Sequence, residues 1–268
     1  MRFTPSRAAP VAARLALLVL IPALLPLPAC AEWQGSIGAG ARRATHSEYD
    51  LAGTRLVRED GWLPGASLGA GYRSGSLSWS GGADYYRGDL DYRGRTQAGA
   101  AAASTTSTRL AAAQLGLSYA WGSHAILAGF EIDRWQRDIR GTAAGAGLQE
   151  RYRSRRLLLG AGTAWRLAPA LVSADAALVL AAPEHMHIGF SCLFDPVSLD
   201  TRRGHGLRLD AALRPASAPA LQLRARADWL KVPRSPAAAL NANGVFQGTV
   251  AQPEHARQAL TLELAYLF

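Results

Sequence analysis

The sequence predicts an all-β chain: a transmembrane, antiparallel, up-and-down β-barrel of about ten strands, with short turns at one end and five long extracellular loops at the other. Three observations predict it. From Trp33 to Phe268 apolar and polar residues alternate with a period of two, the mark of strands with unlike faces. Short and long connections follow one another in strict alternation, the plan of a membrane barrel. After residue 31 no window offers about 18 consecutive apolar residues, so no spanning helix is expected. A soluble β-sandwich would also alternate, but it has no reason to keep all its long connections at one end.

The first strand places Trp33, Gly35, Ile37, Ala39 and Ala41 on one face and Gln34, Ser36, Gly38, Gly40 and Arg42 on the other. A connection of mixed charge runs from about Ala44 to Gly61, and alternation resumes at Ala66, Leu68, Ala70 and Tyr72. Arg73-Ser74-Gly75-Ser76 turns the chain. The third strand carries Leu77, Trp79, Gly81, Ala83 and Tyr85 outward, with Asp84 and Tyr86 opposite. Residues 88–108, including Gln97-Ala98-Gly99-Ala100, are low in complexity and predict a loop. Ala111 to Trp121 forms the fourth strand and Gly122-Ser123-His124 returns it into the fifth, which sets Ile126, Ala128, Phe130 and Ile132 against Gly129, Glu131, Asp133 and Trp135.

A third long connection covers roughly 138–153. Leu157 to Trp165 is the sixth strand, Ala168-Pro169 the turn, and Val172 to Leu180 the seventh strand, with Asp175 on its polar face. Residues 183–203 form the fourth long connection. The eighth strand opposes Leu207, Leu209, Ala211 and Leu213 to Arg208, Asp210 and Arg214. The ninth opposes Leu221, Leu223, Ala225 and Trp229 to Gln222, Arg224, Arg226 and Asp228. After a last connection, 233–255, the tenth strand aligns Leu260, Leu262, Leu264, Tyr266 and Phe268 against Thr261 and Glu263. Trp33, Tyr72, Trp79, Trp121, Trp165, Tyr266 and Phe268 all fall near the short-turn end, which makes one half of an aromatic girdle.

The first residues carry Arg2, Arg7 and Arg14 ahead of an apolar run, Leu15 to Pro28, and then Ala29-Cys30-Ala31. Basic region, apolar core and small-x-small site describe a signal peptide, so the expected domains are 1–31 signal peptide and 32–268 barrel. Leu27-Pro28-Ala29-Cys30 also resembles a lipoprotein box, but its proline is unusual there. Cleavage after Ala31 removes Cys30 and leaves Cys192 unpaired, which excludes a disulfide-stapled domain. It also takes three arginines and no acid from a chain of net charge +9, leaving +6. That charge is diffuse, Lys231 is the only lysine, and no nucleic-acid-binding module is present.

The polar face lines the lumen. Its acids are Asp84, Glu131, Asp133, Asp175, Asp210, Asp228 and Glu263, and its bases Arg42, Arg137, Arg156, Arg208, Arg224 and Arg226. Near-equal numbers of both signs in a narrow barrel predict a pairing network that plugs it, with a narrow pore as the alternative. Arg140, Arg151, Arg153 and Arg155 in the third connection are candidates for binding lipopolysaccharide phosphate, because guanidinium groups hold phosphate bidentately. His185, His187 and Cys192 are weak metal-ligand candidates. No cofactor is implied.

A Phe two residues after a Tyr at the end of the tenth strand resembles the C-terminal signature of bacterial outer-membrane β-barrels, and the chain from Trp33 onward resembles that superfamily in pattern. The resemblance implies an outer-membrane location, lipopolysaccharide and outer-membrane lipids as neighbours, and barrel-assembly machinery that reads Tyr266 and Phe268 during insertion. Ten strands is also the size of the omptins, which resemblance associates with paired Asp groups and an Asp/His couple at the rim. Asp89-Leu90-Asp91 resembles such a pair, but Pro183-Glu184-His185-Met186-His187 stands where the couple belongs. Barrel lipid hydrolases use a lipid-facing Ser/His couple, and no histidine falls on the outward face of the strands assigned above. The expected role is therefore non-enzymatic, structural or surface-binding, as in adhesion or envelope contact. A small-solute channel and an omptin-like rim hydrolase are the alternatives.

Overall fold

A computed structural model of the chain describes residues 31–95, 101–142, 146–191 and 193–268. Residues 1–30 of the proposed signal peptide, Gln97 to Ala100 and Cys192 lie outside them. In chain order the strands are β1 (Ala31–Tyr49), β2 (Arg55–Ser74), β3 (Leu77–Arg95), β4 (Ala101–Trp121), β5 (His124–Ile139), β6 (Leu148–Leu167), β7 (Ala170–Ala181), β8 (His185–Gly189), β9 (Val197–Asp200), β10 (Gly204–Pro215), β11 (Leu221–Val232), β12 (Ala238–Ala242), β13 (Val245–Val250) and β14 (Glu254–Leu267). Ten of them run β5-β4-β3-β2-β1-β14-β11-β10-β7-β6, each antiparallel to its neighbours, and β5–β6 pairing closes the ring. Closure leaves these ten no free edge.

The side-chain parity is the one the alternation predicts. Ile37, Leu68, Leu115, Ile126, Leu159, Leu178, Leu209, Leu223 and Leu262 are all exposed on the outside, whereas Ser36, Glu131, Asp133, Arg208, Thr261 and Glu263 are buried within. An apolar wall of this extent, with its charge inside, is suited to lipid and not to water. Trp33, Trp79, Trp121, Trp165, Tyr266 and Phe268 stand exposed at the short-turn end. Trp62, Tyr85 and Trp229 stand exposed nearer the other end. On β2 the ten steps from Trp62 to Tyr72, at about 3.3 Å each and tilted by about 40°, rise about 25 Å, the height of a barrel's apolar band.

Above that band the structure departs from the sequence reading. The four short turns are in place, but much of what reads as loop is sheet. β1 and β2 extend across most of 44–61 and leave only residues 50–54 between them. β3 and β4 carry the pairing through Arg95 and Ala101, inside the stretch 88–108. The cause is that these extensions are polar on both faces, since one looks into a charged lumen and the other into water, so the hydrophobic period fades while the backbone ladder continues. β1, β2, β3, β4 and β6 are 19, 20, 19, 21 and 20 residues long, but β7, β10 and β11 only 12 each. One side of the barrel is therefore a tall wall. Where β7 ends, β8 takes its place against β6 and β9 pairs with β8; β12 and β13 make a separate hairpin.

Candidate functional site in the charged lumen

Two layers of ion pairs cross the lumen. The lower begins at Asp133 on β5, which pairs with Arg156 on β6. Arg156 Nη1 reaches Glu131 Oε1 at 2.9 Å, and the other oxygen of Glu131 receives Arg208 Nη1 of β10 at 2.8 Å. Arg208 Nε donates to Asp228 Oδ1 of β11 at 2.6 Å, and Asp228 Oδ2 lies 3.3 Å from Arg42 Nη2 of β1. This unbroken chain of alternating charge ties β5 and β6 to β1 through the interior. Nearer the short turns Arg226 donates to Asp210 at 2.7 Å and Arg224 to Glu263 at 3.3 Å. Among the described residues Asp84 and Asp175 make no ion pair within 4 Å. Asp175 lies beside Asp210 in register and packs where Gly162 has no side chain.

The upper layer was largely missed in the sequence. Arg137 of β5, 2 % exposed, donates through Nε to Glu59 Oε2 of β2 at 3.0 Å and through Nη1 to Glu48 Oε1 of β1 at 3.2 Å, and it also pairs with Glu150 of β6. Thr106 donates to Glu59, Gln252 and His46 contact Glu48, and the Tyr152 hydroxyl donates to Glu150. Beside it Glu184 accepts from Ser154 at 2.6 Å, lies 3.2 Å from His255 Nε2 and pairs with Arg257. The Arg257 guanidinium sits 4.4 Å over the Trp135 ring, which stacks on Tyr152. The missed signal was parity. Gly38, Gly40 and Arg42 lead on to His46 and Glu48, and Trp135 leads on to Arg137, so continuing the same face past the apolar band finds the layer.

The side chains outside this upper layer are Arg58, Asp60, Gln136, Asp138 and Arg151, so it stands above the apolar wall. Three carboxylates share the one guanidinium of Arg137. Burial, added to by Glu48 and Glu59, pushes the Glu150 carboxyl up to about 7. Burial and Arg137 push the His46 imidazole down to about 4.

The remaining candidates stand outside the lumen. Arg151, Arg153 and Arg155 point outward from β6, and Arg140 lies 3.6 Å from Asp89. Register brings other outward arginines beside the first three: Arg134 opposes Arg153, and Arg87 opposes Arg109 on the adjoining strands β3 and β4. Among the described residues Arg87, Arg109, Arg134, Arg151, Arg153 and Arg155 have no carboxylate within 4 Å. His185 and His187 are also outward, bonded to Asp200 at 2.9 Å and Ser198 at 3.0 Å. Among the described residues no three His, Cys, Asp or Glu groups converge as metal ligands.

Asp89 and Asp91 stand on the outer side of β3, and the exposed His185–Asp200 couple on β8 and β9, with β4, β5 and β6 between. They do not face one another across a cleft. One reading needs correction: two histidines do face outward on barrel strands. His124 opens β5 on the face of Ile126 and Ala128, its ring 6.4 Å from that of Trp121 and its register partners Trp121 and Thr163. β10 begins at Gly204, three residues before the alternation is evident, and so carries His205 on its outer face, 5.9 Å from Trp229. Its register partners are Leu180 and Lys231, so no serine opposes it.

No protein-family model and no curated protein matches this sequence. Among solved structures the chain is similar to the outer-membrane protease OmpT from Escherichia coli, with a TM-score of 0.58 and 11 % identity over 91 % of this chain and 99 % of that one. The fold is that of an outer-membrane β-barrel. Weaker likenesses to other barrels have TM-scores below one half. The translocator domain of autotransporter NalP from Neisseria meningitidis gives 0.43 at 12 % identity, covering 95 % of this chain and 94 % of that one. The attachment invasion locus protein Ail of Yersinia pestis gives 0.36 at 11 % identity, covering 88 % and 99 %. At these identities the likeness to an outer-membrane barrel is one of fold.

Proposed function

We propose that this protein is an integral outer-membrane barrel with an occluded lumen and a non-enzymatic role at the cell surface, in which the outer wall and the connections above it bind components of the envelope. The observation that carries this reading is the pair of charge layers. Arg137 joins β5 to β1, β2 and β6, and the Asp133 to Arg42 chain joins β5 to β1 a second time. Solute passing through would have to break buried pairs at two heights. Purified protein in a planar bilayer should give a quiet baseline; discrete, reproducible conductance steps would overturn the occluded reading in favour of a channel.

The outward arginines supply the envelope partner. They sit on β3, β4, β5 and β6 just above the apolar wall, where lipopolysaccharide phosphates lie. Each contact near such a charged surface is worth about 1 kcal/mol. Changing Arg134, Arg151, Arg153 and Arg155 together to Gln should lower the lipopolysaccharide that co-purifies, by mass spectrometry, and raising ionic strength should do the same to the parent protein. Arg140 is engaged with Asp89, so Arg140→Gln alone should change the amount less. Retention by the quadruple variant equal to that of the parent would remove lipopolysaccharide as the partner.

A further inference from the structure

On the outer side of β3 the residues at and above the rim of the apolar wall follow in the order Tyr85, Arg87, Asp89, Asp91, Arg93 and Arg95. Arg87 belongs to the arginine belt assigned above to lipid phosphates. Six steps further along the strand, at about 3.3 Å each and tilted by about 40°, Arg93 stands about 15 Å higher. At that height β2 and β3 carry a groove of about 430 Å³, lined by Arg55, Arg58, Arg93 and Arg95 together with Asp60 and Asp91. Register leaves its charges unmatched. Arg58 lies opposite Arg93, and Asp60 opposite Asp91; like charges directly opposed on neighbouring strands destabilise a sheet. Asp60 is the satisfied member, since it pairs with Arg43 at 3.1 Å, accepts from Thr45 at 2.6 Å and lies 3.8 Å from Arg58. Among the described residues Arg55, Arg93 and Arg95 have no carboxylate within 4 Å, and Asp91 has no cation. On β4 the register partners of Arg93 and Arg95 are Ala103 and Ala101, which offer these guanidinium groups no acceptor side chain.

Guanidinium groups on adjacent strands, and at alternate positions of one strand, present a row of forks to anions that carry two or more oxygens. Asp91 among them disfavours a dense dianion and can accept from a hydroxyl. Among the described residues no aromatic side chain lines the groove, so nucleic-acid bases have nothing there to stack on. Asp89, Asp91 and Asp60 stand between the groove and the lower belt, so a single anionic lipid surface does not meet both without facing carboxylates. A chain of sugars, with free hydroxyls and single negative charges on successive residues, has the complement the groove requires. We propose that it binds an acidic polysaccharide presented from outside the cell, the sulfate or carboxylate groups on Arg58, Arg93 and Arg95 and a sugar hydroxyl on Asp91. The inference uses none of the arginines assigned to lipopolysaccharide and stands or falls separately from that reading.

The test uses full-length mature protein in detergent micelles, shown to be folded by heat-dependent gel mobility, with binding of short dextran sulfate and polygalacturonate fragments followed by titration calorimetry. At least one of the two should bind with a Kd on the order of 100 μM, and neutral dextran should not bind. Arg58→Gln with Arg93→Gln should weaken that binding about tenfold or more; both side chains are exposed, so the fold should be kept. The variant with Arg134, Arg151, Arg153 and Arg155 changed to Gln removes twice as much charge, yet it should keep the binding within about threefold, because those sites lie beyond the range of screened attraction. The proposal is overturned if neither fragment binds to the folded protein at about 5 mM, some fifty times the expected Kd, or if the groove variant binds as the parent does. An equal loss in the fourfold variant would overturn it by showing attraction to net charge alone, and equally tight binding of poly-L-glutamate would remove the sugar. A fall in co-purifying lipopolysaccharide as large in the groove variant as in the fourfold one would overturn it by giving the groove to the membrane's own lipid.

Discussion

Replacing Arg137 by Met keeps the length of the side chain and removes its charge, which leaves Glu48, Glu59 and Glu150 facing one another with no guanidinium between them. Arg137 is 2 % exposed and Glu59 fully buried, so water does not take over as the counter-charge. Breaking a buried pair by removing one partner costs about 3–5 kcal/mol, and here one arginine serves three carboxylates, which sets the expectation at the upper end at pH 8. The same geometry fixes a pH signature. As pH falls the stranded carboxylates take up protons, and Tyr152, Thr106 and Gln252 remain to bond the neutral acids, so the deficit at pH 5 should shrink to about half or less. Guanidinium unfolding in micelles, followed by tryptophan fluorescence at both pH values, reads both effects. A deficit under about 1 kcal/mol at pH 8, or one that is the same at pH 5, would show that the upper layer is hydrated in solution and that the argument from burial is wrong.

Three further outcomes are expected. His46 and Glu150 should push the pH dependence of the parent in opposite senses: an imidazole lowered to about 4 makes stability rise with pH between about 4 and 6.5, and a carboxyl raised to about 7 makes it fall between about 4.5 and 7. His46→Gln should therefore expose a fall of about 3 kcal/mol across that window and Glu150→Gln a rise, by the same unfolding measurement; parallel curves for all three proteins would contradict the assignment. Gly40 lies on the β1–β14 seam, where an added Cβ meets the Leu262 carbonyl and Glu263, so Gly40→Ala should cost about 1–3 kcal/mol and increase the unfolded band on unheated gels, whereas Gly71→Ala, with nothing closer than 3.8 Å, should not. Tyr266→Ser with Phe268→Ser removes the outward aromatic pair, with ring centroids 6.5 Å apart, and should shift the protein from the membrane to the periplasmic fraction; undiminished insertion would refute its proposed role as the assembly signature.

Legibility in the sequence followed contrast between the faces. Ile126, Ala128, Phe130 and Ile132 against Glu131 and Asp133 could be assigned to outside and inside without a structure, because lipid on one side and ion pairs on the other demand unlike residues. Ten barrel strands and their short turns followed from that alone. Where β1 and β2 rise out of the apolar band the contrast disappears: Thr45, Ser47, Arg58 and Asp60 are no more apolar than His46, Glu48 and Glu59. The lower half of the lumen was thus readable and the upper half was not, although its arginine, Arg137, was in view. Nor does any linear pattern indicate that Glu184, just beyond the end of β7, would meet His255 and Arg257 from the far side of the last connection. The outward arginines posed the reverse difficulty, since four strands each contribute one to three and only register makes them neighbours.

The charge chain across the interior also bears on the order in which the barrel comes together. Arg42 is separated by 186 residues from Asp228, by 219 from Thr261, and Gln252 by 204 from Glu48. An early hairpin such as β1–β2 or β3–β4 pairs its backbone at once, but it has no means of neutralising what it carries inward; Glu48 and Glu59 must wait for β5, and Arg42 for β11. Every partial sheet is therefore an apolar outer surface backed by unmatched charge, tolerable where water still reaches the inner face and costly where it does not. The β1–β14 pairing spans the whole chain, and making it dries the interior and supplies the missing counter-ions together. The lumen in this sense acts as a checkpoint: a ring closed in another register would part Arg42 from Asp228 and Arg137 from Glu48 and Glu59, and the native register brings these pairs together.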